Sequence, residues 1–285
     1  MSSDQETTNT DEPTDQQQAL EAEVAALRKE LELANQRLQK RSVERQLAKN
    51  ATNSAYEIVK QQNDELSKRI ELFRKFVPVS LSEVLDKRGF DVSKGLSLER
   101  TYSVLSTDIR NVTSFTEKIG CQECFKFLNS FFSVMEPGIR SHGGFVYQYV
   151  GDSIMALFPP VGGHTDNAVE SALHLLHDVI PEYNKGRNRA GYEPIQIGIG
   201  INTGSVATGI AGTAERMDVS AFGSTVNLAA RCEGLTKELG EKLIVTNNTQ
   251  SMLSSTDAYD TLPLGEMSIR GMEQRVDLFS VNRKA

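Results

Sequence analysis

The chain has 285 residues, of which 39% are hydrophobic, so its length suits one or two domains with at least one sizeable core. Its 31 basic and 38 acidic residues give a net charge of −7, which argues against a nucleic-acid-binding protein with a basic face. No apolar run of about 18 residues predicts a membrane span, and no secretory signal is visible. Three cysteines fit a reducing compartment, so we expect a cytoplasmic protein without a disulfide framework.

The first segment, residues 1–18, is predicted to be a disordered acidic tail. Residues 2–18 carry no apolar side chain except that of Pro13, and their charged residues are all Asp or Glu. Such a segment cannot bury enough apolar surface to offset the entropy that ordering would cost.

Residues 19–77 are predicted to form one long helix, because apolar residues recur at spacings of four and three and no Gly or Pro interrupts them. The first positions of this apolar seam are Leu20, Val24, Leu27, Leu31, Ala34 and Leu38. The seam is interrupted by Arg41 and Arg45, and Pro78 ends the helix. We favour a parallel homodimeric coiled coil over a solvated charged helix without a partner.

Residues 78–98 are predicted to form a connector that leads into one domain over residues 99–282. The predicted elements of this domain are a strand over 101–109, a helix over 115–135, a hairpin over 144–158, a helix over 166–180, a second hairpin over 195–210, a helix over 225–239, and short strands over 243–246, 267–270 and 276–281. Helices interleaved with hairpins predict an α+β sandwich rather than a doubly wound parallel sheet.

An aspartate, Asp108, ends the first predicted strand of this domain, and a polar turn follows it. Helix N-termini offer unpaired N–H groups to phosphate, and a neighbouring carboxylate suits the magnesium ion that accompanies phosphate. The alternative interpretation is that Asp108 only caps a helix.

A second aspartate, Asp152, follows Gly151 between two apolar runs. Gly-Asp is common in tight hairpins, so Asp152 needs no function. Together with Asp108, however, it could hold two metal ions of the kind that assist phosphoryl transfer.

A third segment runs Ile197-Gly-Ile-Gly-Ile-Asn-Thr-Gly204 and is followed by Gly223-Ser-Thr-Val-Asn227-Leu-Ala-Ala-Arg231. With these residues, the chain over about residues 99–282 resembles the catalytic domain of the class III adenylate/guanylate cyclases. Four motifs carry the resemblance, in this order: Asp-Ile-x-x-x-Thr, Gly-Asp-x-x-Met-Ala, Gly-Ile-x-Thr-Gly and Gly-x-Thr-Val-Asn-x-Ala-x-Arg. It implies a ferredoxin-like, palm-type α+β sandwich, here preceded by the coiled-coil helix.

The resemblance also implies a metal site and a phosphate site. Asp108 and Asp152 match the family's metal-binding aspartates, and Ile109 would add a backbone carbonyl for two Mg²⁺ or Mn²⁺ ions. The backbone of Val112 and Thr113 would cradle the triphosphate. Arg270 stands where the family has a lysine that holds the terminal phosphates, a charge that arginine also supplies.

Catalysis and base recognition are implied for four further residues. Asn227 and Arg231, on one helix face, match the pair that orients the ribose and steadies the transition-state phosphate. Gln148 and Ser220 match the base-reading positions, and each can donate or accept a hydrogen bond. We expect ATP as the substrate, with GTP as the alternative, because the negative charge expected of a guanine reader is missing.

The implied reaction is attack of the ribose 3′-oxygen on the α-phosphorus with loss of pyrophosphate. Family sites lie between two catalytic domains, so the resemblance implies a homodimer with two shared sites. The alternatives are a catalytically silent cyclase-like module and a diguanylate cyclase, whose Gly-Gly-Asp/Glu-Glu-Phe turn this sequence lacks. One departure from the family, Asn111 where glycine is usual, predicts strain in the phosphate loop.

Two other clusters are interpreted structurally. Cys121 and Cys124 form a C-x-x-C pattern inside a predicted helix and are expected to pack in the core. His174 and His177 share a helix face, which fits an exposed polar stripe as well as a surface metal site.

Overall fold

The structure is a computed structural model that describes residues 15–74, 97–111, 120–213, 215–254, 258–269 and 275–284. The chain divides into two units at residue 73, a single helix and a domain built around a sheet. None of the described helices combines the length and the apolar character that crossing a lipid bilayer requires.

The first unit is helix α1, which runs from Asp15 to Arg74. The prediction of disorder up to residue 18 was therefore wrong for its last four residues, while residues 1–14 lie outside the described residues. Glutamine is a good helix former, and lengthening an existing helix needs no new nucleation, so the helix extends upstream of its apolar seam. The seam is exposed in the single chain: Leu27 is 59% and Leu31 63% accessible.

The second unit contains a mixed sheet with helices on both faces. Its strands are β1 (Ser97–Ile109), β2 (Phe145–Val150), β3 (Ser153–Phe158), β4 (Ile197–Gly212), β5 (Met217–Phe222), β6 (Leu243–Thr246), β7 (Tyr259–Met267) and β8 (Val276–Arg283). Its helices are α2 (Cys121–Arg140), α3 (His164–His174), a π-helical turn (Leu175–Val179) that continues into α4 (Ile180–Arg189), α5 (Ser224–Leu239) and α6 (Asn247–Ser251). The α+β prediction is confirmed.

The sheet order is β2-β3-β1-β4-β6-β8-β7, and β5 pairs with the second half of β4. Neighbouring strands are antiparallel except for β4 and β6, which are parallel. Alternate residues of β4 face opposite sides, as the period of a strand requires. Ile197, Ile199 and Ile201 join the largest core cluster with α2 and α3, whereas the other face of the sheet is covered by α5.

Helix α5 packs unusually close to β4, along the row of glycines on that second face. A Cβ at Gly200 would overlap the backbone nitrogen of Glu233 and the carbonyl oxygen of Ala229. A Cβ at Gly204 would lie 2.7 Å from the Thr225 hydroxyl. Only glycine fits these positions, so the row sets how near α5 comes to the sheet.

The predicted hairpin over residues 195–210 was wrong, because these residues form most of one 16-residue strand, β4. Asn-Thr-Gly at 202–204 contains residue types that are common in turns. Gly198, Gly200 and Gly204 have no left-handed φ, however, and serve the close approach of α5 instead. The turn comes later, between β4 and β5.

The predicted strand over residues 267–270 was also misplaced, because β7 runs from Tyr259 to Met267. Pro263 and Gly265, which are uncommon residue types inside strands, flank a bulge in β7. This strand is last in the sheet order and so tolerates proline. The predicted helix over 166–180 is longer at both ends, from His164 through the π-turn to Arg189. The helix predicted over 115–135 runs from Cys121 to Arg140, and residues 115–119 of that prediction lie outside the described residues. The connector's last two residues, 97 and 98, belong to β1.

We predict that Gly200→Ala lowers the free energy of unfolding by about 3 kcal/mol, because its methyl group overpacks against the backbone of α5. Gly234→Ala, a substitution within α5 itself, is the matched control. Its Cβ would meet no atom within 4 Å, so we expect it to stabilise the domain by about 0.5–1 kcal/mol. Urea unfolding followed by near-ultraviolet circular dichroism measures both, and equal stability of the two variants would contradict the close packing.

Candidate active site

Two predicted metal-binding aspartates meet at one end of the sheet. Asp108 is the penultimate residue of β1, and Asp152 lies in the turn between β2 and β3, after Gly151 with its φ of 64°. Because β3 pairs with β1, the turn comes beside the end of β1. The hydroxyl of Ser153 donates a hydrogen bond of 2.9 Å to Oδ1 of Asp108, which orients that carboxylate.

The proximity of the carboxyl groups makes this end of the sheet strongly negative. Burial, together with a hydrogen bond to Asp108 and the charge of Asp108, raises the pKa of Asp152 to about 6. A third acid, Glu233 on α5, has its pKa raised to about 7 by burial and by the charge of Asp108, against the opposing charge of Arg110. Ionisation of Asp152 or Glu233 therefore costs free energy unless a cation binds close to the carboxylate.

The oxygen donors at this end fit a divalent cation. Oδ2 of Asp152 is buried without a hydrogen-bond partner in the part of the chain that the structure describes. Carboxylates are the ligands that Mg²⁺ and Mn²⁺ prefer. No cluster of three His, Cys, Asp or Glu ligands occurs among the described residues. A cation bound by Asp108 and Asp152 would therefore complete its shell with the Ile109 carbonyl, water or substrate oxygens.

We predict that Asp152→Asn stabilises the metal-free protein at pH 8 by on the order of 1 kcal/mol, after allowance for solvent screening. An acid whose pKa is raised in the folded state, here to about 6, makes the fold less stable as the pH rises from the unfolded value through the folded one. The gain should therefore vanish at about pH 4. Thermal unfolding at both pH values tests this, with the exposed Asp260→Asn as control, and an equal gain at both values would contradict it.

Asn227 and Arg231 lie on the side of α5 that faces away from the sheet. The helix buries Thr225, Ala229, Cys232 and Thr236 against the sheet. Asn227 is exposed and Arg231 half-buried, and neither side chain makes a hydrogen bond or ion pair with another described residue. Both side chains are thus available to a ligand or a partner on the outer side of α5.

The two predicted base-reading residues lie on different strands. Gln148 is an exposed residue of β2, directly after a bulge at Tyr147. Ser220 is half-buried on β5 and pairs with Gly209. Phe145 and Tyr147 of β2 pack in the same cluster as Ala221 of β5, so the two strands are neighbours. No hydrogen bond joins the side chains of Gln148 and Ser220.

The predicted phosphate-binding residues Val112, Thr113 and Arg270 lie outside the described residues. Asn111, which directly precedes Val112, has a φ of 60° and is the one non-glycine residue with a positive φ in the described part of the chain. Asparagine tolerates this conformation better than most residues. The left-handed geometry expected where the family has glycine is therefore present here.

Sequence reasoning missed Ser153 and Glu233. The contact of Ser153 with Asp108 depends on the pairing of β1 with β3, 45 residues apart in sequence, which no local pattern reveals. Glu233 could have been found from helical periodicity, because it shares the buried face of α5 with Ala229, Cys232 and Thr236.

The cysteine pair and the histidine pair singled out from the sequence both lie at least partly on the surface. Core packing was wrong for Cys121, which is exposed at the start of α2, while Cys124 is half-buried. Nδ1 of His174 lies 3.0 Å from Asp178, which Arg283 also contacts at 2.9 Å. This carboxylate thus forms an ion pair with Arg283 and a hydrogen bond with His174 on the surface.

Comparisons with known proteins agree on one family. The family model described as "Adenylate and Guanylate cyclase catalytic domain" matches residues 98–283. The adenylate cyclase of Anabaena cylindrica is 32% identical over 224 residues, which cover 76% of this chain and 44% of that protein. An adenylate cyclase of Dictyostelium discoideum, described as terminal-differentiation specific, is 31% identical over 73% of this chain and 10% of its own length. The chain thus spans less than half of these curated relatives.

Solved structures show the same fold. A bacterial light-regulated adenylyl cyclase superposes with a TM-score of 0.67 at 24% identity, covering 79% of this chain and 64% of that one. The guanylyl cyclase Cya2 superposes with a TM-score of 0.59 at 26% identity, covering 66% of this chain and 95% of that one.

Proposed function

Because the chain belongs to the family of adenylate and guanylate cyclase catalytic domains, we propose that it converts ATP to 3′,5′-cyclic AMP and pyrophosphate in a homodimer with two shared sites. The observation that carries this proposal is the pair Asp108 and Asp152, whose carboxyl groups meet at the end of β1 with one buried oxygen unpartnered. An orphaned carboxylate oxygen beside a second acid is a poor structural element but a good cation ligand.

The residues fit two divalent cations, Mg²⁺ or Mn²⁺, held by Asp108, Asp152 and the carbonyl oxygen of Ile109. When bound, such cations supply positive charge that lowers the pKa of the ribose 3′-hydroxyl and neutralises the phosphates. Ser153 keeps the Asp108 carboxylate in one orientation through its 2.9 Å hydrogen bond. This hydrogen bond reduces the reorganisation needed when substrate and metal arrive.

The groups on α5 act on the sugar and the phosphorus. Arg231 donates hydrogen bonds to the α-phosphoryl oxygens as negative charge develops on them, and Asn227 holds the ribose so that its 3′-oxygen faces the α-phosphorus. The backbone N–H groups at Val112 and Thr113 cradle the triphosphate, and Arg270 holds its terminal phosphates. These groups bind and orient the substrate without forming a covalent intermediate with it.

The orientation of α5 supports a site shared between two chains. Asn227 and Arg231 face away from the sheet that carries their own Asp108, so a second copy is needed to bring a metal-binding half to them. The exposed apolar seam of α1, including Leu20 and Leu31, supports dimerisation through a parallel coiled coil. A C2 dimer of this kind has two equivalent sites.

Guanylate cyclase activity is the second candidate, and it is favoured by the chemistry of Gln148. Its amide can donate to N1 of adenine or, flipped, accept from N1–H of guanine, and the Ser220 hydroxyl is equally adaptable. Neither side chain rejects a base by leaving a buried group unpaired, which is the source of strong discrimination. We choose ATP because neither residue supplies a negative charge for guanine.

We predict that Asp108→Asn lowers cyclic nucleotide formation at least about a hundredfold while the protein stays dimeric, because a metal at the reacting phosphate contributes several kcal/mol. Incubation with Mn²⁺ and ATP or GTP, followed by chromatography, measures the product. Asp260→Asn on β7 is the control. Near-normal turnover of Asp108→Asn would overturn the metal assignment, and no product from the wild type with either nucleotide would favour a silent module.

For the base, we predict a modest preference for ATP, with kcat/KM shifted towards ATP by Gln148→Lys and towards GTP by Gln148→Glu. Side-by-side measurement of kcat/KM for the two nucleotides tests this. A wild-type preference for GTP above about tenfold, or roughly 1.4 kcal/mol, would reject ATP as the substrate.

A further inference from the structure

Asn202 lies in the row of glycines on β4 that faces α5. Between Gly200 and Gly204, it is the one residue with a side chain on that face of the strand. It is 2% exposed. Its Nδ2 donates a hydrogen bond of 3.1 Å to the carbonyl oxygen of Thr225, the second residue of α5. Its Oδ1 accepts a hydrogen bond of 2.7 Å from the hydroxyl of Thr246 at the end of β6. Asn202 therefore links the first turn of α5 to two strands.

The groups around Asn202 are themselves held by buried hydrogen bonds. The hydroxyls of Thr246 and Thr249 lie 3.4 Å apart, and that of Thr249 lies 3.1 Å from that of Thr203. Thr203 in turn bonds to Ser103 of β1 at 2.8 Å. In the first turn of α5, the Thr225 hydroxyl also donates a hydrogen bond of 2.7 Å to the carbonyl oxygen of Ser205. This network gives the Asn202 amide one orientation.

We propose that Asn202 is a positioning residue for the cyclase reaction, because it fixes the first turn of α5 and hence the direction in which Asn227 and Arg231 face. The proposal rests on the function proposed above. The glycines allow α5 to come close, but van der Waals contacts to glycine do not resist a small slide or rotation. The two hydrogen bonds of Asn202 are directional and do resist it.

The expected signature is a loss of kcat without a comparable rise in KM. A displacement of about 1 Å in a catalytic group can reduce the rate about a hundredfold. The terminal phosphates and the metal ions are proposed to contact other parts of the chain, so substrate binding should change less than the rate. We expect Asn202→Ala to lower kcat at least about tenfold, with KM within about threefold of the wild type.

Ser171→Ala is the matched control. Ser171 is fully buried on α3 and loses its hydrogen bond to the carbonyl oxygen of Gly138, but it lies on the face of the sheet opposite α5 and outside the network of Asn202. We expect it to lower the thermal stability as Asn202→Ala does and to leave kcat near the wild-type value. Equal losses of kcat in the two variants would reduce Asn202 to a general stabilising residue and overturn the proposal, as would a wild-type kcat in Asn202→Ala.

Mixed dimers locate the defect within the site. Two differently tagged full-length chains are co-expressed and the mixed dimer is isolated by tandem affinity purification. If Asn202→Ala damages only the half-site on α5, a dimer with Asp108→Asn keeps one intact site and about half of the wild-type activity. A dimer of Asn202→Ala with Arg231→Ala has no intact site, because both of its α5 half-sites are altered. Failure of the first mixture to recover activity would contradict the proposal.

A reference dimer separates this proposal from the one on which it rests. The mixed dimer of Asp108→Asn and Arg231→Ala contains one intact site if the halves come from two chains. An inactive reference dimer would reject the shared site itself, and an inactive wild type would reject the cyclase. With both active, the Asn202→Ala mixtures decide on Asn202 alone.

Discussion

The close approach of α5 to β4 is the constraint on which the rest of the catalytic domain depends. Glycines at positions 198, 200 and 204 leave Asn202 as the one residue with a Cβ on the α5 face of β4 between residues 198 and 204. Because α5 packs so close to β4, one side of the helix is buried against the sheet. The opposite side, which bears Asn227 and Arg231, then has to face outward, as the proposed shared site requires.

The same approach shapes the electrostatics of the proposed metal half-site. It carries Glu233 to the end of β1, where the charge of Asp108 adds to the effect of burial on its pKa. Arg110 offsets part of this charge while donating hydrogen bonds to the carbonyl oxygens of Thr236 and Glu241. Acidic side chains are thus concentrated where the proposed cation would bind, and cation binding should couple to the stability of this end of the sheet.

The sequence sufficed for features encoded locally. The hairpin around Asp152, the helix of Asn227 and Arg231, and strand β6 were predicted within a residue or two, since turn residues and periodicity specify them. The 16-residue β4 was mistaken for a hairpin because glycines that make room for a helix look locally like turn residues. Contacts of Ser153 and Asn202 join segments 45 and 23 residues apart, which only the assembled sheet reveals.

The central claim is that each site combines the aspartates of one chain with the outward face of α5 from another. A crystal structure of the full-length dimer with Mn²⁺ and an ATP analogue that lacks the 3′-hydroxyl tests it most directly, because anomalous scattering locates the metal. The account predicts Mn²⁺ on Asp108 and Asp152 of one protomer, with Arg231 of its partner at the α-phosphate. A nucleotide held by all three residues of one protomer would contradict it.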